Sequence, residues 1–162
     1  MNKNQKTKEK ICTFFASDYH FEMISLPYID KNLEENKEIV ILTENNLEET
    51  INTLLERMNF KEEKRNKFLS IDWKNNDLEK FKCIKENLKK NKEMIIFIKG
   101  KENYIHNING NIDKWINNSD KIKLIDCYDI EEIGSNIDKI ICQYQKILNT
   151  SGEKETDCIR KM

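Results

Sequence analysis

The segment that decides the fold runs from residue 11 to residue 45 and reads ICTFFASDYHFEMISLPYIDKNLEENKEIVILTEN. Residues 11–16 form a short apolar and β-favouring run, and residues 38–43 form a second one. Between these runs, apolar side chains recur near helical spacing behind Ser17 and Asp18, which are candidate helix N-caps. The segment therefore predicts a parallel strand–helix–strand unit.

The rest of the chain repeats this alternation. Short strands are predicted at 11–16, 38–43, 68–73, 94–98 and 121–127, with helices between them and a last helix over 128–148. Such alternation predicts an α/β three-layer sandwich of about five mainly parallel strands with helices on both faces, as in Rossmann-like domains. Residues 10–148 form this single domain, flanked by a flexible arm at 1–9 and a flexible tail at 149–162. Pro27 is expected to kink the first helix, and a break into two helices is the alternative.

Composition excludes several functional classes. Charged residues make up 35% of the chain, but the net charge is only -1, so a direct nucleic-acid binder is not expected. No apolar run reaches the roughly 18–20 residues that span a bilayer, and no apolar segment follows the polar N-terminus, so we expect a cytoplasmic protein. Five cysteines without a C-x-x-C spacing and two histidines predict reduced thiols, no metal site and no cofactor.

Polar and aromatic side chains follow the predicted strands, where parallel sheets gather ligands. The candidate ligand- or partner-binding residues are Asp18, Tyr19, His20, Glu44, Trp73, Lys99 and Tyr128. Aromatic walls with a few charges suit a small organic ligand or the basic side chain of a partner. We expect Asp18, Glu44 and Trp73 to converge, with repulsion between the two carboxylates raising at least one pKa. The alternative is that these residues are helix caps, packing and solvated surface.

The opening segment resembles the MEDS family, the sensory domain of methanogen and methylotroph regulators. The matching residues are Cys12, Phe14, Phe15, Asp18, Pro27, Tyr28, Ile29, Leu33, the run 36–38, the strand 39–43 and Glu44. Asn32 departs from the pattern, since the family usually has glycine there, and 15–17 departs where a tyrosine is common. The resemblance is best over residues 11–58, and from there to about residue 148 it is carried by topology. Its motifs are mostly packing positions.

The resemblance implies a degenerate RecA-like ATPase fold in a non-catalytic sensory or protein-interaction module. Such a module acts in signalling or transcriptional regulation through a partner, either a histidine kinase or a transcription regulator, or through a homodimer. An active ATPase needs G-x-x-x-x-G-K-[ST] after the first strand, whereas residues 16–21 read ASDYHF, with no glycine and no lysine. ATP hydrolysis is therefore not expected.

Two enzymatic or signalling alternatives use the same strand ends. A phosphoacceptor receiver domain needs a serine or threonine after the fourth strand and a lysine after the fifth. Lys99 and Asp126 occupy those places, so we reject this class. A small α/β enzyme that uses the acidic cluster at the strand ends remains the alternative to the sensory module.

Overall fold

The computed structural model describes residues 8–116 and 121–156. Its sheet has six strands in the order β2-β3-β4-β1-β5-β6, and only β6 runs antiparallel to its neighbour. The strands are β1 (Lys8–Phe15), β2 (Glu38–Thr43), β3 (Met94–Gly100), β4 (Ile122–Asp129), β5 (Lys146–Asn149) and β6 (Gly152–Glu155).

Seven helices pack on this sheet in the described part of the chain. They are α1 (Asp18–Glu34), α2 (Glu48–Arg57), α3 (Glu62–Leu69), α4 (Asp77–Lys89), α5 (Glu102–Asp113), α6 (Ile130–Ile133) and α7 (Ile137–Ile141), with a 3-10 turn at Gly134–Asn136. The predicted α/β class is confirmed. Pro27 lies inside α1, which continues across it, so the alternative of two separate helices is wrong. None of the helices in the described ranges has the length and apolar character needed to cross a membrane.

Two hydrophobic cores lie on opposite faces of the sheet. Side chains of α1, α2 and α3 cover one face, where Phe21 and Tyr28 meet Phe97 of β3 in edge-to-face contacts with ring centroids 6.1 and 6.3 Å apart. Side chains of α4, α5 and α7 cover the other face. Every residue of β3 is buried, as expected of a strand that is covered on both sides.

The strand order creates a switch point between β1 and β4. These strands are neighbours, with Phe15 opposite Asp129 at their carboxyl ends. The chain leaves β1 into α1 on one face, and it leaves β4 towards α7 on the other face. In open α/β sheets, this divergence opens the crevice in which ligands bind. The turn between β1 and α1 is therefore the expected position of a binding site.

The strand predicted at 68–73 is wrong. Phe68 lies in the last turn of α3, whose preceding residues are mostly charged helix formers. The Trp73 indole N–H donates to the Phe68 carbonyl oxygen at 2.8 Å, and the Trp73 carbonyl accepts from the Leu47 amide at 2.9 Å. The segment is thus bonded to helix ends rather than to a strand; Phe68, Ile71 and Trp73 are buried, whereas Leu69 is exposed.

The last helix predicted over 128–148 is also wrong. β4 continues to Asp129, and two short helices on either side of Gly134, which has a φ of 51°, replace one long helix. Leu148 belongs to β5.

Residues 149–156 do not form the flexible tail that the sequence predicts. Asn149 ends β5, and Gly152–Glu155 returns as β6, so this part of the tail completes the sheet. Glu153 of β6 forms ion pairs with Lys123 at 2.7 Å and with Lys146 at 3.3 Å, which fixes the hairpin to the sheet. Residues 8 and 9 of the predicted N-terminal arm belong to β1. The rest of that arm, residues 1–7, and the end of the predicted tail, residues 157–162, lie outside the described ranges.

Candidate functional site

The turn between β1 and α1 is closed by its own side chains. Ser17 is the N-cap of α1, and its Oγ accepts a hydrogen bond from the His20 amide at 3.1 Å. His20 Nδ1 in turn accepts a hydrogen bond from the Ala16 amide at 2.8 Å. Two amides that would face a phosphate in a nucleotide-binding loop therefore have partners already. His20 has a structural role here.

Asp18 and Lys99 form the centre of the candidate site. The Lys99 ammonium lies 2.8 Å from Asp18 Oδ1 and donates to Asn45 Oδ1 at 2.9 Å, while the Asn45 amide donates to Asp18 Oδ2 at 2.9 Å. The Lys99 side chain is 3% exposed, and its ammonium lies 4.6 Å from the ring centroid of Phe15. The contacts among Asp18, Asn45 and Lys99 join the ends of β2 and β3 to the first turn of α1. The Asp18 carboxylate balances the positive charge of the buried lysine.

Glu22 is a buried carboxyl group one turn after Asp18. It is 0% exposed, and its Oε2 lies 2.6 Å from the Thr50 hydroxyl of α2. Its Oε1 has no hydrogen-bond partner among the residues that the structure describes. Burial raises the pKa of Glu22 to about 7, and the negative charge of Asp18 adds to this, against the Thr50 hydrogen bond and the positive charge of Lys99. Glu22 is absent from the residues predicted above. The sequence signal that could have identified Glu22 is its position beside Phe21 within an apolar helical stripe.

Glu44 supports the start of α5. Its Oε1 accepts from the Lys101 amide at 2.8 Å, and its backbone amide donates to the Lys99 carbonyl at 3.0 Å. A Cβ at Gly100 would lie 2.7 Å from both Glu44 Oε1 and Tyr104 Cδ2, so only glycine fits there. The Glu44 carboxylate thus binds the Lys101 amide at the start of α5, whereas the Asp18 carboxylate binds the Lys99 ammonium.

Trp73 and Tyr19 lie in contrasting environments. Trp73 is 3% exposed and packs in the core, with its indole N–H bonded to a backbone carbonyl. Tyr19 is 51% exposed on the first turn of α1. Trp73 therefore acts as packing, as the alternative interpretation expected. Tyr19 is the predicted aromatic residue that presents itself to solvent.

Tyr128 belongs to a second polar network, on the opposite face of the sheet. Its hydroxyl lies 2.7 Å from the Tyr144 hydroxyl, which donates to Asp126 Oδ2 at 2.5 Å. Asn109 donates to the other oxygen of Asp126 at 3.0 Å. Burial raises the pKa of Asp126, and these hydrogen bonds oppose the rise. The network connects β4 to α5 and to the segment before β5.

The predicted site residues thus separate into four places. Asp18 and Lys99 meet directly, with Tyr19 and His20 beside them, whereas Glu44, Trp73 and Tyr128 bond to other partners. The predicted convergence of Asp18, Glu44 and Trp73 does not appear among these contacts. Asp18 meets a cation, and the carboxyl group beside this ion pair whose pKa is raised is Glu22.

Cavities lie away from this centre. Two cavities have volumes near 460 and 420 Å³. The first lies between α1 and the β5–β6 turn, and the second lies along the edge of β2. Lys80 protects that edge, because its buried ammonium donates to the Ile41 carbonyl at 2.5 Å. Within residues 8–116 and 121–156, no three histidine, cysteine, aspartate or glutamate side chains are arranged to hold a metal ion.

Comparisons with known proteins returned no relative. No protein-family model matches the chain, and neither the curated proteins nor the solved structures contain a match. The arguments about function therefore rest on the geometry of the turn between β1 and α1.

Proposed function

We propose that the chain is a non-catalytic sensory or protein-interaction module of the MEDS type, which acts in the cytoplasm through a partner in signalling or transcriptional regulation. The observation that carries this proposal is the ion pair between Asp18 and the buried Lys99. A carboxylate of the protein itself satisfies the lysine at the strand ends where RecA-like domains bind phosphate. A nucleotide would have to displace Asp18 and break two helix-capping hydrogen bonds.

The exposed surface beside this ion pair supports binding to a partner. Tyr19 and Met23 are 51% and 37% exposed, and they lie one turn apart on α1. Tyrosine supplies a large contact area together with a hydroxyl group, and such residues often dominate protein–protein interfaces. The partner we propose is a histidine kinase or a transcription regulator.

A capture experiment with two matched variants tests the proposal. Tyr19→Ser removes the exposed ring near the strand ends, whereas Leu78→Ser removes a side chain that is 77% exposed on α4. Wild type and Leu78→Ser should retain the same kinase or regulator from source cells, identified by mass spectrometry, and Tyr19→Ser should lose it. Retention of that protein by all three chains, or of no regulatory protein by any, would contradict the proposal.

The alternative of a small α/β enzyme is weaker at this site. Such an enzyme needs its strand-end carboxylates free to meet a substrate, whereas Asp18 binds Lys99 and Glu44 binds the Lys101 amide. Four cavities with volumes between 210 and 460 Å³ are lined by described residues other than Asp18, Glu22 and Lys99.

A further inference from the structure

The contacts of Thr50 indicate the protonation state of Glu22. The Thr50 hydroxyl lies 2.6 Å from Glu22 Oε2 and 3.1 Å from the Leu47 carbonyl oxygen. A hydroxyl has one proton, so it donates to only one of these two acceptors. If Glu22 is a neutral acid, its own proton goes to Thr50 and the Thr50 proton goes to Leu47. Both contacts are then hydrogen bonds, whereas an ionised Glu22 leaves one of them without a proton.

The other oxygen of Glu22 points to the same conclusion. Oε1 is buried without a hydrogen-bond partner in the described ranges 8–116 and 121–156, and burial without a partner is far more costly for a carboxylate than for a neutral acid. The charged groups that act on Glu22 are Asp18 on the same helix and Lys99 on β3, while α2 contributes the uncharged Thr50. Lys99 is already paired with Asp18 at 2.8 Å, so its charge is shared. Thr50 is exposed, which gives a proton a short route between Glu22 and solvent.

We propose that Glu22 is a proton-binding site at the contact between α1 and α2, and that loss of its proton loosens this contact. Deprotonation places two carboxylates beside one buried ammonium and leaves one of the two Thr50 contacts, to Glu22 or to Leu47, without a proton. The carboxylate then gains by admitting water between α1 and α2, or by drawing Lys99 from Asp18. Proton occupancy of Glu22 thereby controls the packing of α1 against α2, beside the exposed residues Tyr19 and Met23. This inference does not depend on the proposed partner.

The sign of the pH dependence follows from the direction of the shift. The pKa of Glu22 is about 7 in the folded chain and 4.5 for an ordinary glutamate. The folded state therefore binds the proton more tightly, and this contribution to stability is complete below the unfolded-state pKa and is lost as pH rises through the folded-state pKa. Between about pH 5.5 and about pH 8.5, the unfolding equilibrium constant should rise about 30-fold from this group alone.

The direct test is an NMR titration of the glutamate side-chain carboxyl carbons in the wild-type chain. Glu22 should titrate near pH 7, well above the ordinary glutamate value of 4.5. Correlations to the backbone assign the signals, so this test needs no variant. Titration of Glu22 near 4.5 would overturn the proposal.

A variant series tests the link to packing. Urea unfolding over the same pH range should show the roughly 30-fold change in the unfolding equilibrium constant in wild type. The control Glu56→Gln, at an exposed position of α2, should show the same change, and Glu22→Gln, which cannot ionise, should lose it. Hydrogen exchange at the buried amides of α2, corrected for its intrinsic pH dependence, should accelerate with pH in wild type and not in Glu22→Gln. Parallel pH profiles of stability in all three chains, or exchange at α2 that does not respond to pH in wild type, would refute the linkage.

Discussion

The C-terminal hairpin offers a sharp test of the packing, through the substitution Glu153→Gln. Glu153 of β6 binds Lys123 at 2.7 Å and Lys146 at 3.3 Å, and it accepts a hydrogen bond from the Tyr28 hydroxyl of α1 at 2.5 Å. Glutamine keeps the shape and an acceptor for Tyr28, but it removes the negative charge between two lysines. The substitution therefore isolates the ionic part of the docking of β6.

The magnitude follows from the pKa of Glu153. Partial burial raises it, but the hydrogen bonds from Lys123 and Tyr28 and the charges of Lys123 and Lys146 outweigh burial and lower it to about 2, from 4.5. A shift of this size corresponds to about 3.4 kcal/mol before solvent screening is considered. Because the side chain is 20% exposed, we discount this to a loss of about 1–2 kcal/mol in the free energy of unfolding. The melting temperature should then fall by about 2–8 °C.

The assay is urea unfolding monitored by circular dichroism, with Glu155→Gln as control. Glu155 lies in the same strand and is exposed, so its substitution should change the free energy of unfolding by less than about 0.5 kcal/mol. The contribution of Glu153 is present above the unfolded-state pKa of 4.5 and is lost as pH falls towards 2. The difference between wild type and Glu153→Gln should therefore shrink in acid. Equal stability of the two glutamine variants at neutral pH would refute this account of the hairpin.

Two further substitutions test other contacts. Gly100→Ala should lower the free energy of unfolding by about 1–3 kcal/mol in urea unfolding, because its Cβ would lie 2.7 Å from Glu44 Oε1. Gly110→Ala, inside α5 with open space around its Cβ, should instead raise it by about 1 kcal/mol; a similar loss at both glycines would contradict the geometry.

Periodicity predicted the parts of the fold in which burial alone selects the structure. The strand–helix–strand unit at 11–45 and the buried strand near 94–98 follow directly from apolar spacing. The segment 68–73 shows the limit of this signal, because a short apolar run is buried equally well as the end of a helix and a following loop. The β5–β6 hairpin depends on ion pairs between residues distant in sequence, such as Glu153 with Lys123, which no local pattern reveals.

The candidate site was predictable only in part. Asp18 and Lys99 meet because parallel strands end at one edge of the sheet, and this rule needs no strand order. Trp73 is not part of the site because its segment was predicted to be a strand and instead packs in the core beside α3. Tyr128 is not part of it because its side chain packs in the core on the opposite face of the sheet. Glu22 escaped notice because a glutamate inside an apolar helical stripe is ordinarily read as surface, whereas here it is buried against Thr50.

The central claim is that the chain itself satisfies the groups at the strand ends that would hold a phosphate. Calorimetric titration of the wild-type chain with Mg-ATP tests it most directly, with a functional ATPase domain in the same buffer as positive control. The ion pair between Asp18 and Lys99 and the capped amides of Ala16 and His20 predict no binding heat in the micromolar range. A saturable isotherm with micromolar affinity would contradict the claim.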